Sequence, residues 1–347
     1  MIRSTRMILG VLLAALLLLA ACGQGGATGG GAPAAPTQAP PAATAAPAAT
    51  TAPAATTAPA PTTAPAATEA ATAAPAATEA ATAASEATSA PEGGGLLDDV
   101  KKRGKLLIST DANYKPQSFK NSDGSWDGFD IDVGKEIAKR LGVEAEFLDI
   151  NFDIITAGGW NDRWDMNVGS MTVTPKRKEA LYFTTPYYYT PASFVVHKDS
   201  KAASIDDLKG KKVGVGSGTT YLDYLQNKLS LEGEQILKPA PEGIEAKIYD
   251  TDQLALEDLS LGDGARLDGV LTALPTAEDT IKNGKPLKIL GDPVYYEDLA
   301  LAFDQKSSKD SKSLADAVSK IIDDMHKDGT LTKLSMKYYG VDLTTKK

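Results

Sequence analysis

From Leu106 onward the apolar positions come in short runs, Leu106-Leu107-Ile108, Phe147-Leu148, Met166-Asn167-Val168, Val213-Gly214-Val215 and Val270-Leu271, separated by stretches with helical spacing. A strand buries its positions over a few residues, whereas a helix returns to one face every three to four, so the two signals predict alternating strands and helices. One helix is expected from about Asp130, with Ile131, Gly134, Ala138 and Leu141 on a face and Gly142 as its C-terminal stop. Thr174-Pro175 places a capping hydroxyl and a first-turn proline ahead of Lys176-Arg177. Ser204 with Asp207 opens a short helix before Gly210, and Leu314, Val318, Ile321, Ile322 and Met325 form a helix face that ends at Gly329. The whole reads as an α/β fold with largely parallel sheets. Residues 187–196 suggest a crossing into a second lobe, and Leu299-Ala300-Leu301-Ala302-Phe303 suggests a return. Two lobes joined by two crossings place a ligand cleft between them.

Composition divides the chain before any fold is considered. All 22 aromatic residues of the 347 lie beyond residue 95, so only that part has the bulky apolar material to offset the entropy of folding. It carries 34 basic and 41 acidic side chains, interspersed, which argues against a nucleic-acid binder. A single cysteine excludes a disulfide framework and a multi-thiolate metal site. His197 and His326 are far apart in sequence, so a histidine zinc site is not expected either, and no cofactor is implied.

Residues 1–21 read as an export signal, with Arg3 and Arg6 ahead of an unbroken apolar run that is short for a membrane span. The run ends in Leu19-Ala20-Ala21-Cys22, which resembles the lipobox of bacterial lipoproteins and implies a lipidated Cys22 as the first mature residue. Residues 22–95 are almost entirely Ala, Pro, Thr and Gly, hold 11 of the 20 prolines, and repeat APAATEAATA without change at 64–73 and 74–83. Such a segment has no apolar face to bury and reads as a disordered tether. The remaining expected boundaries are 96–189 for lobe 1, 190–295 for lobe 2 and 296–347 for the return to lobe 1.

Several collinear segments carry a resemblance. Thr110-Asp111-Ala112-Asn113-Tyr114, Gly128-Phe129-Asp130-Ile131-Asp132-Val133, Val168-Gly169-Ser170-Met171-Thr172-Val173-Thr174-Pro175-Lys176-Arg177 and Leu208-Lys209-Gly210-Lys211-Lys212-Val213-Gly214-Val215 are of this kind. Arg266-Leu267-Asp268 and Lys327-Asp328-Gly329-Thr330-Leu331 continue it. Over about 100–342 the chain resembles the bacterial extracellular solute-binding proteins of family 3, the receptors of polar-amino-acid ABC importers. The resemblance implies a two-lobe, type II periplasmic-binding-protein-like fold. It also implies a monomer that is extracytoplasmic, tethered by its lipid, partnered by an ABC permease in the membrane, and not an enzyme.

Carried over residue by residue, the resemblance makes Arg177 the grip on a ligand carboxylate, a task suited to its two-pronged guanidinium. Gly169, Ser170 and Thr172 would hold the same group, Tyr114 and Phe152 would wall the ligand side chain, and Asp111 would face it. In the second lobe the glycine-rich turn at Gly214-Val215-Gly216-Ser217-Gly218-Thr219-Thr220 lacks the GxGxxG spacing of a dinucleotide site. It reads instead as a small-anion cradle built from Gly218, Thr219 and Thr220. Tyr187, Tyr188 and Tyr189 would line the crossing, and Trp160 and Trp164 would be core. The sequence departs from the pattern at Lys115, at Gln117, and at Ala273, which stands where the family has the aspartate for the ligand ammonium. Another acid would then be required, with Asp111, Glu297 and Asp298 as candidates, or the ligand lacks that ammonium. A dehydratase-like enzyme on the same scaffold and a sensory receptor stand beside the importer reading.

Overall fold

The computed structural model describes residues 95–346. The readings for the signal peptide, Cys22 and the tether up to residue 94 lie outside the described residues. The chain enters through helix α1 (Leu96–Arg103) and strand β1 (Lys105–Thr110). Three very short strands follow, β2 (Asn113–Tyr114), β3 (Ser118–Lys120) and β4 (Trp126–Asp127), which make a small antiparallel sheet of their own. Next come α2 (Phe129–Leu141), β5 (Glu144–Asp149), α3 (Phe152–Thr156), β6 (Met166–Thr172), α4 (Pro175–Lys178) and β7 (Leu181–Phe183).

Helix α2 runs between two glycines that the backbone requires. Gly128 has φ 126, and a Cβ there would lie 2.2 Å from the Gln117 carbonyl oxygen; Gly142 stops the helix at φ 77. Its inward face buries Phe129, Val133 and Ile137, and Gly134 lets β5 approach so closely that an added Cβ would meet the Phe147 ring at 2.9 Å. Strand β6 is buried on both faces, as expected of a strand inside a sheet covered on both sides.

Strand β8 (Tyr188–His197) leads into β9 (Lys212–Gly216), α5 (Thr220–Leu225), β10 (Glu245–Tyr249), α6 (Asp252–Leu259), β11 (Gly269–Ala273) and α7 (Leu274–Lys282). The Ser204–Asp207 capping box is present, but it opens only a 3-10 turn, Ile205–Leu208. The 18-residue strand β12 (Leu287–Asp304) then returns, and α8 (Ser311–Lys327) and α9 (Thr330–Tyr339) close the chain.

The main sheet has the order β10-β9-β11-β8-β12-β6-β1-β5, with β7 paired to β12. Its two ends are parallel, β1 with β5 and β6, β9 with β10 and β11. The middle is antiparallel, because β8 and β12 run against each other and against β11 and β6. The sheet is therefore mixed, and the expectation of largely parallel sheets holds only toward its ends. Separate cores lie on either side of this middle. Phe129, Leu106, Ile108, Leu301 and Phe303 pack with α8 at one end, while Val213, Val215, Tyr224, Leu271 and Phe194 pack at the other. Strands β8 and β12 contribute to both, Tyr188 and Leu299 to the first and Phe194 and Tyr295 to the second.

Trp160 and Trp164 are buried in the first half with ring centroids 5.3 Å apart. Tyr187 and Tyr188 stand at the start of the β8 crossing, but their side chains face the core. Both are fully buried against Phe129, because an all-aromatic cluster removes more apolar surface there than an exposed position would. Tyr189 alone is partly exposed, under Lys346.

Candidate functional site

A cavity lies where the two halves meet. From the first half it is lined by Asp111, Tyr114, Ser118, Phe152, Gly169, Ser170, Thr172 and Arg177; from the second by Gly216, Ser217, Thr219, Thr220, Tyr221, Asp250, Thr251 and Asp252; and from β12 by Glu297. The halves touch around it. Gln117 contacts Thr276 at 3.3 Å, the hydroxyls of Thr172 and Thr220 are 3.5 Å apart, and a Cβ on Gly218 would fall 2.8 Å from the Asp153 Cα. The conformation is closed.

Arg177 sits on the single turn α4, whose start is fixed by Thr174. That side chain accepts from the Arg177 amide at 3.2 Å, and Pro175 follows it. The guanidinium is buried, donates through Nη1 to the Thr172 carbonyl (2.8 Å) and through Nη2 to the Gly218 carbonyl (2.9 Å), and lies 5.4 Å from the Phe152 ring centre. Desolvation lowers its pKa from the ordinary arginine value, against the field of Glu297. The bond to Gly218 bridges the halves.

Glu297 is held by three hydroxyls. Thr172 and Thr220 each donate to Oε1 at 2.6 Å, and Tyr221 donates to Oε2 at 2.9 Å. Burial raises its pKa, while those donors and Arg177 pull the other way. Asp252 begins α6 just after the capping Thr251, accepts from the Gly216 amide on Oδ1 (2.8 Å) and from the Thr272 hydroxyl on Oδ2 (2.7 Å). Burial pushes it up to about 7, with the charges of Glu297 and Asp111 adding to the effect. Gly216 lets this carboxylate close on the strand end, since a Cβ there would lie 2.5 Å from Asp252 Oδ1. Asp111 follows β1, accepts from the Asn113 amide at 2.7 Å, and is pushed up to about 6, again by burial first.

Beneath the cavity Ser170 adopts φ 51, a left-handed conformation that costs a non-glycine residue energy. Its hydroxyl donates to Asp130 (2.8 Å), its amide donates to the Tyr187 hydroxyl (3.0 Å), and Tyr187 in turn donates to Asp130 (2.6 Å). Burial lifts Asp130 to about 6. The strained residue is thus pinned by a buried network.

Nine of the ten expected ligand residues line the cavity; Gly218 does not. It meets the site through its carbonyl, which accepts from Arg177, and the preceding Ser217 amide donates to the Tyr249 carbonyl. Together with the Thr220 hydroxyl, which is turned to Glu297, this makes the turn less of an anion cradle than its glycines imply. Ala273 is buried, paired with Ala192, and outside the cavity lining. Of the three acids considered in its place, Asp111 and Glu297 line the cavity, whereas Asp298 faces Lys346 at 3.3 Å. Sequence reasoning missed Asp252 and Tyr221. Asp252 offered only the signal of an acid at a helix start, which ordinarily reads as a favourable charge on the helix dipole. Among the described residues no group of three His, Cys, Asp or Glu side chains is arranged to hold a metal ion.

A closed cleft between two halves, crossed by two strands and lined by one guanidinium and several carboxylates, defines a receptor that encloses a small polar solute. The chain belongs to the bacterial extracellular solute-binding proteins, family 3, whose model matches residues 106–341. It is 34% identical over 253 residues to the L-cystine-binding protein TcyJ of Escherichia coli (strain K12), covering 72% of this chain and 88% of that protein. Among solved structures it resembles the ancestral amino acid-binding protein AncCDT-1, a precursor of cyclohexadienyl dehydratase. The identity is 31% and the TM-score 0.60, over 70% of this chain and 99% of that one. An ancestral arginine-binding protein bound to arginine is 32% identical with a TM-score of 0.59, over 68% and 99%. The fold is that of the type II periplasmic binding proteins.

Proposed function

We propose that this solute-binding protein closes on a free amino acid outside the cytoplasm and delivers it to an ABC importer in the membrane. The observation that carries the reading is Arg177. It is a buried guanidinium on the cavity wall, and no carboxylate oxygen of the described residues lies within 4.0 Å of it. A desolvated cation of that kind is completed by an anion, and a carboxylate matches its forked geometry. Tyr114 and Phe152 supply aromatic faces for the ligand's side chain, and the relatives are amino-acid-binding proteins by their names.

The test is a thermal-shift panel of free amino acids and their deaminated analogues on the purified protein, followed by recovery of the ligand. At least one amino acid should raise the melting temperature and come back unaltered. A panel in which only deaminated acids act would remove the α-ammonium from the account. A ligand recovered as a dehydrated product would favour the enzyme reading, which draws on Asp111 and Asp252 as carboxyls near neutrality, the range suited to a general acid or base. The attachment proposed for this receptor is a lipid on Cys22. Cys22→Ala should move the protein from the detergent phase to the aqueous phase on partition, and retention in the detergent phase would contradict it.

A further inference from the structure

The charges around the cavity do not balance. Arg177 is the single basic residue in its lining, and against it stand the carboxylates of Asp111, Asp252 and Glu297 and, exposed, that of Asp250. Among the described residues no lysine or arginine nitrogen lies within 4.0 Å of any of these four carboxylates. Glu297 is surrounded by hydroxyl donors and shares the field of Arg177. Asp252, 4% exposed, receives one donor on each oxygen, so each keeps accepting capacity. Asp111 has the Asn113 amide and no cationic partner, and the charge of Asp149 repels it.

An amino acid brings its own carboxylate. Once that group engages Arg177, the one positive side chain of the lining is neutralised, and the α-ammonium answers only one of the remaining acids. Buried carboxylates without a partner are expensive, and a ligand that supplies the missing charge is preferred over one that does not. Phe152 and Tyr114 add aromatic faces, which attract cations at short range. We infer that the cleft selects amino acids with a second positive charge at the end of the side chain, with Asp252 and Asp111 as the two groups that face the ligand's cations. The inference rests on the amino-acid reading above.

The shifts of both acids agree with this. Asp252, facing Glu297, Asp111, Tyr114 and Tyr221, and Asp111, facing Asp149, are each difficult to ionise until a cation arrives.

Calorimetry on the whole protein with L-arginine, L-lysine, the neutral near-isostere L-citrulline, L-glutamine and the decarboxylated cation agmatine separates the possibilities. L-arginine or L-lysine should bind at least about 30-fold tighter than L-citrulline and L-glutamine, the size expected for one buried charge pair. Asp111→Asn and, independently, Asp252→Asn should each reduce that ratio. L-citrulline or L-glutamine binding as tightly as L-arginine would overturn the inference and leave the amino-acid reading standing. Agmatine binding as tightly as L-arginine would instead overturn the amino-acid reading. A preference for the cationic ligands that survives unchanged in both variants would show that these acids are not the selecting groups and would overturn the assignment.

Discussion

At Asp252 a carboxylate has been carried to a place where an amide, a hydroxyl, two tyrosines and two further acids surround it, and the consequence is measurable without knowing the ligand. Its folded pKa of about 7 lies above the usual value of 3.8. The folded state therefore holds the proton more tightly than the unfolded chain, so the contribution to stability is complete below about pH 4 and is lost as pH rises through 7. Asp111 and Asp130, both at about 6, act in the same direction slightly earlier. Asp328, held at about 2 by Thr330 and Arg140, acts in the opposite direction but only below about pH 4. Urea denaturation of the ligand-free protein should thus show stability falling between about pH 4 and pH 7. Asp252→Asn should make that fall shallower across the whole window, removing a loss on the order of 2 to 4 kcal/mol. An identical slope in the variant would mean that Asp252 is not the titrating group. The same residue shows where sequence reading stops. Arg177, Ser170 and Thr172 were legible because they lie inside a recognisable motif, whereas Asp252 becomes a site residue only when β9 and β11 bring Gly216 and Thr272 beside it.

Among the elements, those with a period and a stop were legible. The helices α2 and α8 combine an apolar face with a glycine in the left-handed region, Gly142 and Gly329, and both signals are local. Strand direction is not local. A run such as Val270-Leu271 announces a strand, but whether its neighbour runs with it or against it depends on the crossovers, so the antiparallel middle of the sheet was not foreseen. Only the last third of β12 was read as a strand, because Gly291, Asp292 and Pro293 interrupt the apolar pattern before it. The pairing of β12 with β8 shifts register over that stretch, which is how one continuous strand accommodates those residues. The strands β2, β3 and β4 are two or three residues long and carry no pattern to read. Tyr187 and Tyr188 read as residues lining the crossing. Their burial follows from Phe129 and Tyr339, which approach from elements far away in the chain.

For the molecule as a whole, two cores joined through β8 and β12 make opening and closing a movement about those strands. A ligand can favour the closed form only by binding it more tightly than the open one. In the closed form Arg177 already reaches across to the Gly218 carbonyl, and Thr172 and Thr220 from opposite sides share Glu297. A carboxylate placed against Arg177 would add the charge partner that these neutral acceptors do not provide. That is the central claim, and its most direct test is calorimetry of Arg177→Ala against the native protein, using the tightest ligand from the amino-acid panel. Loss of one partner from a buried charge pair costs about 2 to 5 kcal/mol, so affinity should fall at least about 30-fold in a variant that still unfolds cooperatively. An unchanged dissociation constant in that folded variant would contradict the account.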